Sequence, residues 1–215
     1  EGTIYDVITS LRGSSFAGKL EIIKGELLIN SQDMEEIKVA QSMGIQVNPY
    51  IIIDGELKSD GANLALMDST GTLTIPDGVT KIGNGAFANL SGLLTIILPG
   101  RVKEIGEYAF TNNADLTRVV LEEGIEKIGK EAFMRCRNLE TIELPESLAS
   151  IEDHAFAECS KLNNVKMPSK LTVIKNATFY ACNSLTNIIL SENLEEIAGN
   201  AFLDCNQLDN IYISK

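Results

Sequence analysis

The sequence predicts a solenoid, in which short repeated units stack into one elongated domain with a parallel β-sheet along one side. Six consecutive units of 23 residues fill residues 71–208 and repeat almost without slippage. The same columns of each unit carry the same apolar residue types, and the first residues alternate between apolar and polar as a half-buried strand does. Because no such unit can bury its apolar face alone, neighbouring units are expected to share a continuous core.

The expected core follows from the columns that do not change. We number the positions within a unit as columns 1 to 23, and column 12 is isoleucine and column 23 leucine in all six units. Column 16 is alanine in every unit except one, where Thr178 replaces it. Six of the seven phenylalanines in the chain occupy column 17: Phe87, Phe110, Phe133, Phe156, Phe179 and Phe202.

The unit 140–162 shows how one repeat is interpreted. Ile142 and Leu144 alternate with polar residues, which predicts a strand, and Pro145 ends this strand because proline has no N–H to donate. A second packed segment begins near Phe156 and is too short for a long helix. The sequence leaves open whether this segment is one turn of α- or 3₁₀-helix or an extended stretch.

Residues 1–70 are interpreted as irregular repeats of the same solenoid with hairpin insertions. Residues 8–17 superimpose on the regular units, so the chain opens part-way through a repeat. Residues 20–27 and 50–57 each place a charged residue and a glycine between two apolar runs, which is a hairpin signal. Residues 33–43 fit either a strand of a degenerate repeat or a short helix. No linker-like stretch intervenes, which favours one solenoid over a separate domain.

The last residues, 209–215, begin a further strand and carry no polar cap. An uncapped sheet edge tends to pair or aggregate. We therefore expect either that residues follow Lys215 or that this end meets another copy in end-to-end self-association.

Composition excludes several classes of partner. The net charge of −12 disfavours nucleic acid and anionic lipid, which are held by Lys and Arg. No apolar run approaches the roughly 20 residues that span a bilayer, so no membrane insertion is expected. The first residue is Glu1 rather than Met, which is typical of a processed or trimmed product.

The four cysteines predict buried structural thiols. They recur every 23 residues in column 20, where the two earlier units carry Leu90 and Asn113. One phase of a solenoid forms a ladder along its axis, which does not suit a tetrahedral zinc site. Neighbouring rungs about 5 Å apart do not by themselves exclude a disulfide, but parallel inward-pointing Cβ vectors disfavour one. Because column 20 accepts a small or apolar side chain, sulfur is not required there. We therefore expect reduced thiols at Cys136, Cys159, Cys182 and Cys205.

No catalytic, cofactor or metal site is expected. His154 is the only histidine and lies in column 15, whose other residues are typical of a solvated loop. The neighbouring Glu152 and Asp153 fit no EF-hand spacing. Carboxylate pairs such as Glu122-Glu123 are interpreted as a solvated edge rather than as the two acids of a glycosidase.

The junctions between units carry the sequence motif L-x-x-[I/V]-x-[L/I/M], and this motif continues as L-P-x-x-L-x-x-I-x-x-x-A-F-x-x-C. Over residues 71–208 this pattern resembles the bacterial BspA-like, or Treponema-type, leucine-rich repeat. The resemblance implies a right-handed leucine-rich repeat solenoid with a parallel β-sheet on the concave face and short helical or irregular segments opposite. It also implies an extracellular or cell-surface bacterial protein that attaches to host or neighbouring-cell proteins, since BspA-like proteins are associated with adhesion.

The outer surface of the sheet is the candidate binding site. Columns 3 and 5 are expected to face the core, so columns 2, 4 and 6 line the outer, concave surface. Apolar residues around a polar centre suit a protein partner, although β-branched residues also merely stabilise strands. The predicted protein-binding residues are Ile97, Arg118, Val120, Thr141, Glu143, Asn164, Lys166, Ile189 and Tyr212.

The leading interpretation is a non-enzymatic binding module whose partner is a host extracellular-matrix or cell-surface protein. One alternative is a structural spacer that holds another domain away from a cell wall. The other is a targeting module of a larger enzyme whose catalytic part lies outside these residues. A binding module loses its partner when the sheet face is charged, a spacer has no partner, and a targeting module adjoins a catalytic domain.

Overall fold

A computed structural model describes residues 20–23, 26–29, 46–47, 51–58 and 66–214. The chain divides into two compact units, Glu1–Ile52 and Ile53–Lys215. In the first unit, β1 (Leu20–Ile23) pairs antiparallel with β2 (Glu26–Ile29), and β3 (Gln46–Val47) pairs parallel with β2. The interpretations of residues 8–17 and 33–43 lie outside the described residues, and the assignment of residues 1–70 to the same solenoid stays a prediction.

The second unit is a solenoid of stacked 23-residue turns, as the sequence predicts. Each turn contributes its first strand to one parallel sheet, called sheet A, in which strands lie side by side in chain order. Sheet A contains β6 (Thr72–Leu73), β8 (Thr95–Leu98), β10 (Arg118–Leu121), β12 (Thr141–Glu143), β14 (Asn164–Lys166), β16 (Asn187–Leu190) and β18 (Asn210–Ile213).

Sheet A keeps every unit in register with the next. Arg118 of β10 lies between Thr95 of β8 and Thr141 of β12, and each of these residues occupies column 2. An offset of 23 residues per strand therefore places equal columns side by side. The alternation along each strand then buries columns 3 and 5, as expected, except in the exposed edge strand β18 and at Leu144, which is half-buried beyond the end of β12.

A second parallel sheet, sheet B, was not predicted. It is built from columns 11 and 12, which include the invariant isoleucine. A turn at Asp54-Gly55, with positive φ at both residues, joins β4 (Ile51–Ile53) to the first of these strands. Sheet B contains β5 (Glu56–Lys58), β7 (Lys81–Ile82), β9 (Glu104–Ile105), β11 (Lys127–Ile128) and β13 (Ser150–Ile151), while β15 (Val173–Ile174) pairs with β17 (Glu196–Ile197).

Successive β-turns form the segment that the sequence left open. Within one unit, Ala132 N–H donates to Gly129 O (3.3 Å) and Met134 N–H donates to Glu131 O (3.2 Å). Between units, Phe110 N–H donates to Ala132 O at 2.8 Å. The backbone is left-handed in columns 15 and 19 of all six units. This alternation turns every second N–H towards the next unit, and the described residues contain no α-helix.

The phenylalanine column forms a continuous stack through the core. Neighbouring ring centroids lie 5.2–5.6 Å apart, and the ring planes are within 9° of parallel. Five of the rings are fully buried, whereas Phe202 in the sixth unit is half-buried. Stacked aromatic contact thus links each unit to its neighbours.

The cysteine column is a hydrogen-bonding column as well as an apolar one. All four cysteines are free, and each donates its S–H to the column-17 carbonyl of the preceding unit, as Cys159 does to Phe133 O at 3.2 Å. Asn113 in the same column donates to Phe87 O and is fully buried. The expectation of free thiols is confirmed, but Cys205 is only partly buried and the slot also accepts a polar amide.

Candidate functional site

Two rows of side chains point outward from sheet A. Successive residues of a strand point to opposite faces, so columns 2 and 4 lie opposite the buried columns 3 and 5. Adjacent strands place equal columns about 4.8 Å apart, which makes each column a straight row. Row 2 consists of Thr72, Thr95, Arg118, Thr141, Asn164, Asn187 and Asn210, and row 4 of Thr74, Ile97, Val120, Glu143, Lys166, Ile189 and Tyr212.

The structure brings the nine predicted binding residues together in these two rows. Val120 is half-buried and the other eight are exposed. Column 6 was expected on the same surface and meets this expectation only in part, because Glu122 and Ser214 are exposed there whereas Pro145, Pro168 and Ser191 are buried. These residues follow the last residue of their strands or lie beyond it, so the alternation of the strand does not extend to them. Rows 2 and 4 therefore form the continuous part of the outer face.

From Ile97 to Tyr212, row 4 is apolar at both ends and charged in the middle. Ile97 (41% exposed) and Val120 form one apolar end, and Ile189 (37%) with Tyr212 (53%) forms the other. Between them, Lys166 pairs with Glu146 at 3.2 Å. Among the described residues, Glu143 and Arg118 make no ion pair. Charged groups without partners beside exposed apolar side chains are typical of an interaction surface.

Row 2 is a ladder of hydroxyl and amide groups. Asn187 donates its Nδ2 to Asn164 Oδ1 at 2.9 Å, which joins two neighbouring strands. Thr186, one residue earlier, donates its hydroxyl to Asn163 Oδ1 at 2.8 Å. These bonds hold the amides of Asn164 and Asn187 in fixed orientations, so this part of row 2 presents a pre-ordered polar surface beside Ile189.

Carboxylates border row 4 where the strands end, and we call Glu122, Glu123, Glu146 and Glu192 the acidic rim. All four are exposed. Glu123 accepts the N–H of Glu146 at 2.8 Å, so it also holds the following turn. Hydrogen bonds from Ser169 and Lys166 lower the pKa of Glu146. The predicted solvated edge at Glu122-Glu123 is present, but its role in bonding the next unit was missed, because the partner lies one full repeat away.

His154 differs from the sequence interpretation. It was expected to be solvated, yet it is half-buried, and its buried Nδ1 finds no hydrogen-bond partner among the described residues. The nearby Glu152 forms hydrogen bonds with Lys175 and Ser150 instead. Burial raises the pKa of Glu152, but these hydrogen bonds outweigh burial, so that its pKa is lowered. Within the described part of the chain, no three His, Cys, Asp or Glu side chains are grouped to hold a metal.

The 23-residue turn, the parallel sheet A and the apolar columns define a leucine-rich repeat solenoid. The chain belongs to the BspA-type leucine-rich repeat proteins. A family model described as "BspA type Leucine rich repeat region" matches six copies, over residues 66–140 and 103–215. The recognition of this family and of the fold class is thereby confirmed.

Solved bacterial leucine-rich repeat proteins share this fold. A leucine-rich repeat protein from Bacteroides ovatus is 28% identical, with 69% of this chain and 39% of that chain covered and a TM-score of 0.61. The T. pallidum leucine-rich repeat protein is 29% identical, with 72% and 71% covered and a TM-score of 0.56. A leucine-rich cell surface protein from Faecalibacterium prausnitzii is 26% identical, with 76% and 52% covered and a TM-score of 0.57.

The first and third of these relatives are considerably longer, since this chain spans only 39% and 52% of them. No curated protein matches the chain. In the residues that the structure describes, no helix has the length and hydropathy to cross a bilayer.

Proposed function

We propose that this chain is a non-enzymatic protein-binding module of a bacterial secreted or cell-surface protein, and that it attaches to host or neighbouring-cell proteins through rows 2 and 4 of sheet A. The observation that carries the proposal is the exposure of Ile97, Ile189 and Tyr212 around the charges of Arg118 and Glu143, which form no ion pair with any described residue. Leucine-rich repeat solenoids are typically non-enzymatic scaffolds whose extended sheets bind proteins.

The comparisons support the proposed location. The relative from F. prausnitzii, 26% identical over 76% of this chain, is described as a leucine-rich cell surface protein. BspA-type repeats of the kind found here over residues 66–215 are often carried by such proteins. An adhesive module needs an exposed, repetitive surface, and rows 2 and 4 supply one.

The proposal is tested by binding to immobilised extracellular-matrix and cell-surface proteins. The variant Val120→Glu/Ile189→Glu places two carboxylates on row 4, and Ala149→Glu/Thr172→Glu adds the same charge at exposed positions outside rows 2 and 4. We expect saturable binding by the native chain and by the second variant, and at least about a tenfold loss in the first, because a buried unpaired charge costs more than 1.4 kcal/mol.

The remaining outcomes separate the alternatives. If both variants bind equally well and circular dichroism shows that both are folded, the binding site lies outside the outer face of sheet A. Absence of binding by the native chain favours the structural spacer. A catalytic domain adjoining these residues in the complete gene favours the targeting module of an enzyme. The expected end-to-end self-association stays a prediction, and sedimentation of the chain over a range of concentrations measures it.

A further inference from the structure

We propose that the segment which binds sheet A is a basic amphipathic α-helix of about 16 residues. It lies across the strands with its apolar stripe on row 4 and its basic flank against the acidic rim. This inference rests on the proposed function, because it specifies the partner of the same face. The width of the outer face of sheet A, its length and its charges each support a basic helix as the partner segment.

The face is wide enough for one helix. Rows 2 and 4 are two residues apart along a strand, which is about 6.7 Å. At the next outward position, Pro145, Pro168 and Ser191 are buried where the chain leaves sheet A, and the exposed Glu122 belongs to the acidic rim. A helix with its side chains is about 10–12 Å across, so a single helix covers both rows.

The spacing of row 4 suits a helix better than an extended strand. From Ile97 to Tyr212 there are five strand intervals of about 4.8 Å, or about 24 Å in all. A helix presents one side chain per turn of about 5.4 Å, whereas an extended strand presents one on each face every 6.7 Å or so. A helix of sixteen residues is about 24 Å long. Apolar side chains near one end of this helix contact Ile97 and Val120, and apolar side chains near its other end contact Ile189 and Tyr212.

The charges beside row 4 select a basic helix. Glu122, Glu123 and Glu192 are exposed and form no ion pair within the described residues, while Glu146 is neutralised by Lys166. Glu143 adds a carboxylate in the middle of row 4 that likewise has no ion pair in the described part of the chain. Arg118 lies on row 2, the side away from the rim, and there an acidic residue of the helix would face it. Complementary charge of this kind sets the orientation of a partner and raises its association rate.

Two model peptides of 18 residues test the proposal. One arranges leucine and lysine so that they segregate on opposite helix faces, and the other has the same composition in an order without an apolar stripe. Binding to the native chain is measured by fluorescence anisotropy at low and high NaCl. We expect the segregated peptide to bind about tenfold more tightly, because only it places an apolar stripe on row 4. Equal affinity for both peptides would overturn the proposal, because general electrostatic attraction alone would then explain binding.

Two matched charge variants of this chain test whether the basic flank of the helix binds at the acidic rim. Glu122→Gln/Glu192→Gln removes two carboxylates from the rim, and Glu107→Gln/Glu196→Gln removes two exposed carboxylates that lie outside sheet A and the rim. We expect the rim variant to bind the segregated peptide about three- to tenfold more weakly, with less dependence on NaCl, and the control to bind as the native chain does. An equal loss in both variants contradicts the assignment of the rim.

The peptide experiment can fail while the proposed protein-binding function still stands. If matrix-protein binding is lost in Val120→Glu/Ile189→Glu while the segregated peptide fails to bind the native chain, the helix is excluded and the binding face stands. If the peptide binds, it should also compete with the matrix protein for the native chain. Failure to compete would overturn the helix as the natural partner segment.

Discussion

At the scale of single residues, column 15 shows how backbone conformation constrains side-chain choice. The column has positive φ in every unit, and the chain places Gly85 and Asn200 there in two of them. Glycine and asparagine adopt the left-handed conformation with less strain than other residues. His154 occupies the same column with φ of 57° and with a buried Nδ1 that lacks a partner. We therefore expect this residue to lower the stability of its unit.

The substitution His154→Asn should stabilise the protein. We expect about 1 kcal/mol in the free energy of unfolding, because asparagine tolerates positive φ and the unpaired nitrogen is removed. Urea denaturation of the two proteins measures the change. His154→Ala is the matched comparison, since Ala177 occupies the column with φ of 52°, and it should gain less than His154→Asn. A loss of stability in His154→Asn would show that the imidazole makes a favourable contact.

The buried thiols predict a loss of stability at alkaline pH. Burial raises the pKa of Cys136 to about 12 and also raises the pKa values of Cys159 and Cys182. Above about pH 9 the unfolded chain releases thiol protons that the folded chain retains, so the folded state loses stability as pH rises. Each of the three thiols should remove roughly 1–2 kcal/mol in total between pH 8 and pH 10, measured by urea denaturation at the two pH values.

The control for the thiols is Cys136→Ser/Cys159→Ser/Cys182→Ser. Serine keeps a donor for the column-17 carbonyl but does not ionise in this range. The triple variant should therefore lose less stability than the native chain between pH 8 and pH 10. The same loss in both proteins would assign the alkaline effect to lysine or tyrosine instead.

At the scale of elements, the glycines of column 13 set the distance between units. A Cβ on Gly129 would lie 2.6 Å from Gly106 C and 2.7 Å from Glu107 N, both of them backbone atoms of the preceding unit. Backbone atoms cannot move aside as a flexible side chain can, so this close approach requires glycine. Glu152 occupies the column in the following unit, which makes the requirement local.

Gly129→Ala should destabilise the protein by about 1–3 kcal/mol, because the added methyl group forces two adjacent turns apart. Gly199→Ala is the matched control, since its Cβ would lie 3.8 Å from the nearest atom, the side-chain Asn176 Oδ1. Thermal or urea unfolding of both variants gives the comparison. Equal stability of the two variants would mean that the turns separate at little cost.

At the scale of the whole molecule, the solenoid behaves as a row of units that contact only their neighbours. Phe133 stacks on Phe110 at 5.2 Å and on Phe156 at 5.5 Å and is fully buried. Phe202 stacks on Phe179 at 5.6 Å and is half-buried. The two rings therefore differ in the number of unit-to-unit contacts that they support.

Phe133→Ala should cost about 3–5 kcal/mol, and Phe202→Ala clearly less. The first substitution breaks two stacking contacts in the middle of the row, and the second loosens one at its edge. Hydrogen exchange should show lost protection on both sides of unit 117–139 in Phe133→Ala, but only around the sixth unit in Phe202→Ala. The same loss of protection across all units in both variants would contradict a row of separable units.

Sequence alone determined the period of 23, the core columns, the strands of sheet A and the outward rows 2 and 4, because residue identities repeat and side chains of a strand alternate. Only the tertiary structure decided what depends on bonds between units. The strands of sheet B beyond β5 are two residues long, too short for an alternation to appear. The turns beside Phe156, the burial of Pro145 and the bonds of Glu123 likewise depend on atoms one repeat away, which no local pattern records.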